Sequence, residues 1–252
     1  MSAKEIIVKP ISSQDAARIV KSCHYSRKVT QNSQLHFGVF LNGKCGGAMQ
    51  FGPSIDKRKT QGIVKNTGWN GFIELNRMAF ADWLPRNSES RAIAIAMRII
   101  RKNYPHIEWV ISFADGTQCG DGTIYRASGF FLTGIKQNTQ MLKMPDGEIV
   151  AKKTLDNPNN MAPDGRFGSA YAKENGAKPL PGFQLRYIYF LNPAAKSRLT
   201  VPILPFSEIE RRGAGMYLGK PKRAESIAVD APCIQQGEGS ASLTSALQSD
   251  DL

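Results

Sequence analysis

Histidine and cysteine are scarce in this chain, three and four residues among 252. Cys23, Cys45, Cys119 and Cys233 show no paired spacing, so the sequence carries neither a disulfide framework nor a zinc knuckle. The histidines lack metal-ligand spacing as well. A metal ion, iron included, is therefore not indicated, and His24 with Asp115 is the pair from which such a site would have to start. No apolar run reaches the roughly 20 residues that cross a bilayer, and the stretch from Met1 to Pro10 lacks the apolar core of a signal peptide. There is no Gly-x-Ser-x-Gly elbow and no Ser/His/Asp set specified by spacing, which argues against a serine hydrolase. The expectation is a cytoplasmic protein of a reducing compartment, with no membrane partner.

Lys and Arg are also absent from 224–252, where Glu225, Asp230, Glu238, Asp250 and Asp251 lie. Those are five of the 21 acids, so residues 1–223 hold all 33 basic residues against 16 acids, a net +17. A body that basic suggests a polyanion as partner, nucleic acid first. The Ser-, Gly- and Ala-rich acidic tail at 224–252 is expected to be disordered. The remaining length suits one domain with embellishments.

The pattern predicts a strand over 5–11, then a helix capped near Ser12 with Ala16, Ile19, Val20 and Cys23 on one face, ending at His24-Tyr25. Asn42-Gly43 between two apolar runs predicts a hairpin. Residues 52–71 read as a long loop carrying Lys57, Arg58, Lys59 and Trp69. Residues 72–80 form a strand, followed by a helix capped by Ser88 or Ser90 and stopped by Pro105. The run 108–114 is apolar almost throughout, as a strand covered on both faces must be. A short helix at 121–128, closed by Gly129, leads to a strand from 130, and 182–191 is the last strand. Residues 144–181, rich in Pro, Gly, Asn and Lys, read as an irregular basic insertion. The order β-α-β-β-β-α-β-α-β-β predicts a mixed α/β sheet.

Four groups of residues point to chemistry. The turn Arg86-Asn87-Ser88-Glu89-Ser90-Arg91 opens a helix, where free N–H groups favour phosphate, although its serines could simply be caps. Asp115 ends a buried strand, where open α/β sheets bind ligands, and can act as a general base or close an Asx-turn. His24 and Tyr25 at a helix end offer a base and a stacking ring, or a C-terminal cap. Tyr125 is a general acid or a core aromatic. Lys57, Arg58, Lys59 and Trp69 combine phosphate contacts with base stacking, and together they read as a DNA-binding segment.

The strand-turn-helix at 73–102 and the helix carrying Tyr125-Arg126-Ala127-Ser128-Gly129-Phe130 resemble the GNAT acyltransferase fold. The blocks Ser22-Cys23-His24-Tyr25-Ser26, Glu74 to Phe80, Pro85 to Arg91 and Ser112-Phe113-Ala114-Asp115 resemble the Mom family of phage DNA-modification proteins. The likeness spans about residues 1–190. It implies a mixed, mostly antiparallel sheet flanked by helices in one catalytic domain, 1–223. It also implies conversion of adenine in double-stranded DNA to N6-carbamoylmethyladenine, which hides phage DNA from restriction endonucleases in the host cytoplasm. On that basis Asp115 holds or deprotonates a flipped adenine amine, His24 assists, Tyr25 stacks on the base and Tyr125 protonates the leaving group. Arg77 and the turn Arg86, Asn87, Ser88, Ser90 and Arg91 hold an activated donor. The GNAT turn is glycine-rich, and Glu89 and Arg91 stand where small residues are expected, so glycyl-tRNA is favoured as donor over acetyl-CoA. A tRNA then becomes a further partner. The rivals are a non-catalytic basic DNA-binding protein and a CoA-dependent N-acetyltransferase acting on a protein amine.

Overall fold

Alternating apolar side chains along β5 (Trp109–Asp115) divide the interior into two cores. Val110 and Ala114 belong to the core that holds Ala92, Ile93, Ala96, Met97 and Ile100 of the long helix. Trp109 and Ile111 belong to the other, with Ile63, Val64, Phe72, Ile188 and Ala195. A strand with helix or loop on both sides needs apolar residues at every position, which is why this run lacks the usual polar alternation.

The computed structural model describes residues 2–222 apart from 118, 161, 162, 218 and 219, so the tail expected to be disordered lies outside the described residues. The chain divides into two units, Met1–Pro221 and Lys222–Leu252. In chain order the strands are β1 (Ile7–Pro10), β2 (Leu35–Leu41), β3 (Lys44–Gly52), β4 (Phe72–Phe80), β5, β6 (Phe131–Gln137), β7 (Met141–Lys143), β8 (Ile149–Ala151), β9 (Lys178–Pro179), β10 (Phe183–Phe190), β11 (Met216–Tyr217) and β12 (Lys220–Pro221). Seven of them form the main sheet in the order β1-β2-β3-β4-β5-β10-β6. Every pair in it is antiparallel except β4–β5. The helices are α1 (Ser13–Cys23), α2 (Lys57–Gln61), α3 (Ser88–Asn103), α4 (Thr123–Ala127), α5 (Lys152–Leu155), α6 (Gly168–Glu174) and α7 (Ser207–Arg211). This is the mixed, mostly antiparallel sheet with flanking helices that the resemblance implied.

Two irregularities open the middle of the sheet. The parallel pair β4–β5 is held only from Phe72↔Trp109 to Glu74↔Ile111, although β4 runs on to Phe80 and β5 to Asp115. Past this point the two strands no longer pair. Ser112 Oγ still reaches across the fork to donate to the Leu75 carbonyl at 3.3 Å. In β4 the register slips as well: Gln50 faces Arg77 but Phe51 faces Leu75, leaving Asn76 as an unpaired bulge residue. Bulges bend a strand and re-aim its side chains, and they gather near active sites. On β2, β3 and β4 a cross-strand row of small residues, Gly38, Ala48 and Ala79, leaves room for close packing. Helix α1 packs over these three strands and buries Ala16 and Val20.

Three expectations need correction. The stretch 52–71 is not loop throughout, because Asp56 caps α2 by accepting from the Lys59 N–H at 3.2 Å. Residues 144–181 are not simply irregular. β7, β8 and β9 form a small sheet, and Leu142, Ala172 and Ala177 make a core beneath α6. Neither serine caps α3. Its N-cap is Asn87, at φ 69°. The serine hydroxyls turn back instead, Ser88 Oγ onto the Pro85 carbonyl at 2.6 Å and Ser90 Oγ onto that of Asn87 at 3.2 Å.

Candidate active site

Asp115 sits where β5 ends beside the fork. Its Oδ1 accepts from the Thr117 N–H and from Asn138 Nδ2, both at 3.0 Å. Two fixed donors lock the carboxylate's orientation, and no described residue donates to Oδ2. The main-chain carbonyl of Asp115 gathers the Cys119 N–H at 2.8 Å, the Gly120 N–H at 3.2 Å and the Cys119 thiol at 3.1 Å. Burial raises the Cys119 thiol, which therefore stays protonated and is a poor nucleophile.

His24 caps the C-terminus of α1 through its N–H to the Val20 carbonyl. Its ring packs on Tyr25 with centroids 4.2 Å apart. Burial, and then the Arg77 guanidinium, lower its pKa to about 4. The ring is neutral at pH 7, and its tautomer follows from its neighbours. Nδ1 accepts the Ser26 N–H at 3.1 Å, so the proton is assigned to Nε2. His24 thus offers a donor to the site and has little capacity to take a proton. Tyr25 keeps its phenol proton, because burial and the nearby Cys119 and Asp115 raise its pKa. Half of its surface is still open, 51%, enough for a ring to stack on a ligand. Arg77 lies within electrostatic reach of both residues. Its Nε donates to the Lys28 carbonyl at 3.2 Å and its Nη1 to that of Asn76 at 2.8 Å.

Tyr125 on α4 reaches the fork from the core that α3 covers, where its ring packs against Phe130 and Tyr187. Its hydroxyl shares a hydrogen bond with Ser112, and burial pushes its pKa up to about 12. It is a protonated phenol held against β5 at Ser112. Glu74, at the last paired position of β4, has its carboxyl raised by burial and is hydrogen-bonded to Ser54 and Asn76. Sequence reasoning passed over Glu74, Asn138 and Cys119. Only the position of Cys119, four residues past Asp115 in a glycine-rich turn, gave a signal. Asn138 is brought in by the β6 connection, which no local pattern encodes.

The structure therefore gathers His24, Tyr25, Arg77, Asp115 and Tyr125. No hydrogen bond or ion pair among the described residues links them to the turn at 86–91. Arg86 and Asn87 are exposed there, Ser88 is buried, and Arg91 Nη2 donates to the Lys4 carbonyl at 3.1 Å. Lys57 and Trp69 do meet. The ammonium lies 4.4 Å over the half-exposed indole and donates to Asn70 at 3.0 Å, with Arg58 and Lys59 on the same short helix. No group of three or more His, Cys, Asp or Glu among the described residues could hold a metal ion. None of the described helices is long and apolar enough to cross a membrane.

The model of the Mom protein family matches residues 5–208. The chain belongs to that family. Methylcarbamoylase mom of Escherichia phage Mu is 39% identical over 204 residues, which cover 80% of this chain and 82% of that protein. Among solved structures, the ribosomal-protein-S18-alanine N-acetyltransferase of Escherichia coli is 11% identical at a TM-score of 0.41, covering 74% of this chain and 94% of its own. A Bacillus subtilis acetyltransferase in complex with CoA is 8% identical at 0.41, covering 74% and 97%. Likenesses that distant do not bear on chemistry. In this Mom-family chain the turn at 86–91 offers few free side-chain donors to a phosphate. Both serine hydroxyls are spent on the turn's own carbonyls, Arg91 holds the N-terminal segment, and Glu89 already occupies the first turn of α3 with negative charge.

Proposed function

We propose that the chain is a DNA-modifying transferase that converts adenine to N6-carbamoylmethyladenine, protecting phage DNA from restriction endonucleases in the host cytoplasm. The observation that carries this reading is the grouping of Asp115, Tyr25, Arg77 and His24 beside the open fork of a Mom-family chain whose phage Mu relative is called a methylcarbamoylase. An exocyclic amine is a poor nucleophile because its lone pair is delocalised into the ring. It needs a base as attack proceeds, and it must leave the duplex stack to meet one. Asp115 Oδ2 takes the proton. Tyr25 stacks on the base, His24 Nε2–H donates to it, and Arg77 holds the donor. Tyr125 gives its proton to the leaving oxygen, and the proton that Asp115 took from the amine replaces it. Lys57, Arg58, Lys59 and Trp69 hold the flanking duplex.

The product's atoms select the donor. An acetyl group would leave a carbonyl on the amine and bring no amide nitrogen. A glycyl ester such as glycyl-tRNA carries two carbons and one nitrogen, and a turn with few free side-chain donors for the phosphates of CoA favours it. Adenine N6 attacks the ester carbonyl, and the tRNA leaves as its hydroxyl with the proton from Tyr125. The new free amine then attacks ring carbon 6 and displaces the original nitrogen, which becomes the terminal amide. Feeding nitrogen-15 glycine to cells expressing the chain tests this route. The label is expected on the nitrogen bonded to the ring; label confined to the terminal amide, or none, contradicts it. A non-catalytic DNA-binding protein would instead tolerate Asp115→Ala and fail on Lys57 and Arg58 changes. A CoA-dependent acetyltransferase would bind acetyl-CoA in preference to aminoacyl-tRNA.

A further inference from the structure

A cavity of about 540 Å³, within the range of small-molecule sites, lies on the face of the sheet that carries Phe113, the face to which strand alternation also assigns Asp115. Three residues of two cross-strand pairs, Phe113, Arg186 and Gln184, make its floor. Phe113 stands opposite Arg186, and Asp115 stands opposite Gln184. Residues two apart on a strand share a face about 7 Å apart, and directly opposed side chains lie about 5 Å apart at Cβ. Phe113, Gln184 and Arg186 all line the cavity, and Asp115 stands just outside this lining, opposite Gln184 and two residues along the strand from Phe113. Arg186 is anchored by Nε to Thr133 Oγ1 at 3.1 Å and by Nη2 to the Thr133 carbonyl at 2.7 Å. No described residue accepts from its Nη1. Helix α2 supplies the opposite wall through Lys59 and Thr60, the latter bound to Ser54 at 3.1 Å.

We propose that this cavity holds the extruded adenine nucleotide and that Gln184 is the residue that selects adenine. Resting on the adenine reading above, it names the site that reading requires. One face of the base lies on Phe113, and the other is left to Tyr25. Gln184 Oε1 accepts one hydrogen of the exocyclic amine and Nε2 donates to N7, the pairing by which glutamine reads adenine. The second amine hydrogen is left for Asp115, on the neighbouring strand. Arg186 Nη1 and Lys59 supply cationic donors for the nucleotide's phosphate. Guanine sets its O6 against Gln184 Oε1, and pyrimidines have no N7, so both are disfavoured.

Binding of dAMP, 7-deaza-dAMP and dGMP to the purified protein, read by calorimetry, tests the assignment. Modified nucleosides are counted in parallel by mass spectrometry in DNA from cells expressing each variant. The wild type should bind dAMP about tenfold or more tightly than either analogue. Gln184→Ala should bind dAMP and 7-deaza-dAMP equally, a loss of discrimination that a structural role for Gln184 would not produce. It should lower DNA modification by a similar factor while melting as the wild type does, since Gln184 is exposed. Phe113→Ala should weaken both adenine nucleotides alike. Failure of the wild type to bind dAMP, equal binding of the 7-deaza analogue, or full modification by Gln184→Ala overturns the assignment. Modified DNA with no dAMP preference removes the cavity and leaves the function standing. A dAMP preference that depends on Gln184, with unmodified DNA, supports the cavity and removes the function.

Discussion

His24 shows how a local environment settles a role. With its pKa near 4 and Nδ1 occupied, it is a neutral donor across the physiological range. Its ring proton observed by NMR should titrate near pH 4, and the pH–rate profile should show no inflection at the ordinary 6.5. Arg77→Met removes the second cause and should move the midpoint up but short of 6.5, because burial is the larger cause. The stability consequence has a definite sign. The folded state binds this proton less readily than the unfolded one, so stability present above 6.5 falls as pH drops toward 4. Asn138 is a positioning residue. Asn138→Ala frees Asp115 Oδ1 from one of two donors and should lower kcat about tenfold with KM for DNA unchanged, the size of a lost hydrogen bond to a charged group.

At the scale of elements, α4 is where small changes should reach the site. Gly122 starts it at φ 84°, and a Cβ there would meet the Tyr187 ring at 2.5 Å. Tyr187 in turn packs against Tyr125. Gly122→Ala should destabilise by about 1–3 kcal/mol, seen as a lowered Tm, and should reduce activity by displacing Tyr125. The sequence showed α1, α3, the hairpin and β5 clearly, since each has a strong period, a turn pair or an unbroken apolar run. It did not show the insertion's small sheet, whose strands are two or three residues long and depend on contacts across tens of residues. Of the site, Asp115, His24, Tyr25 and Tyr125 could be found because each marks the end of an element or a short helix. Asn76 and Asn138 could not, because a bulge register and a loop closure bring them in. The serines at 88 and 90 misled for a related reason. Cap composition was right for a helix start, but an αL asparagine took the cap position itself.

For the whole molecule, charge governs the partner. Residues 1–223 carry a net +17, and Lys57, Arg58 and Lys59 lie on one short exposed helix beside Trp69. Duplex binding should weaken linearly in log salt, and Arg58→Ala should reduce that slope by about 0.9 with no change in base preference. On the proposed function, the helix that holds the duplex and the carboxylate that handles the amine are separable by mutation. The most direct measurement is mass spectrometry of nucleosides from the DNA of cells expressing the wild type and Asp115→Asn. Asp115→Asn keeps the side chain's size and removes the proposed base. N6-carbamoylmethyladenine from the wild type, and its loss in Asp115→Asn with duplex binding intact, is the predicted result. Unmodified adenine in both, or equal modification in both, contradicts it.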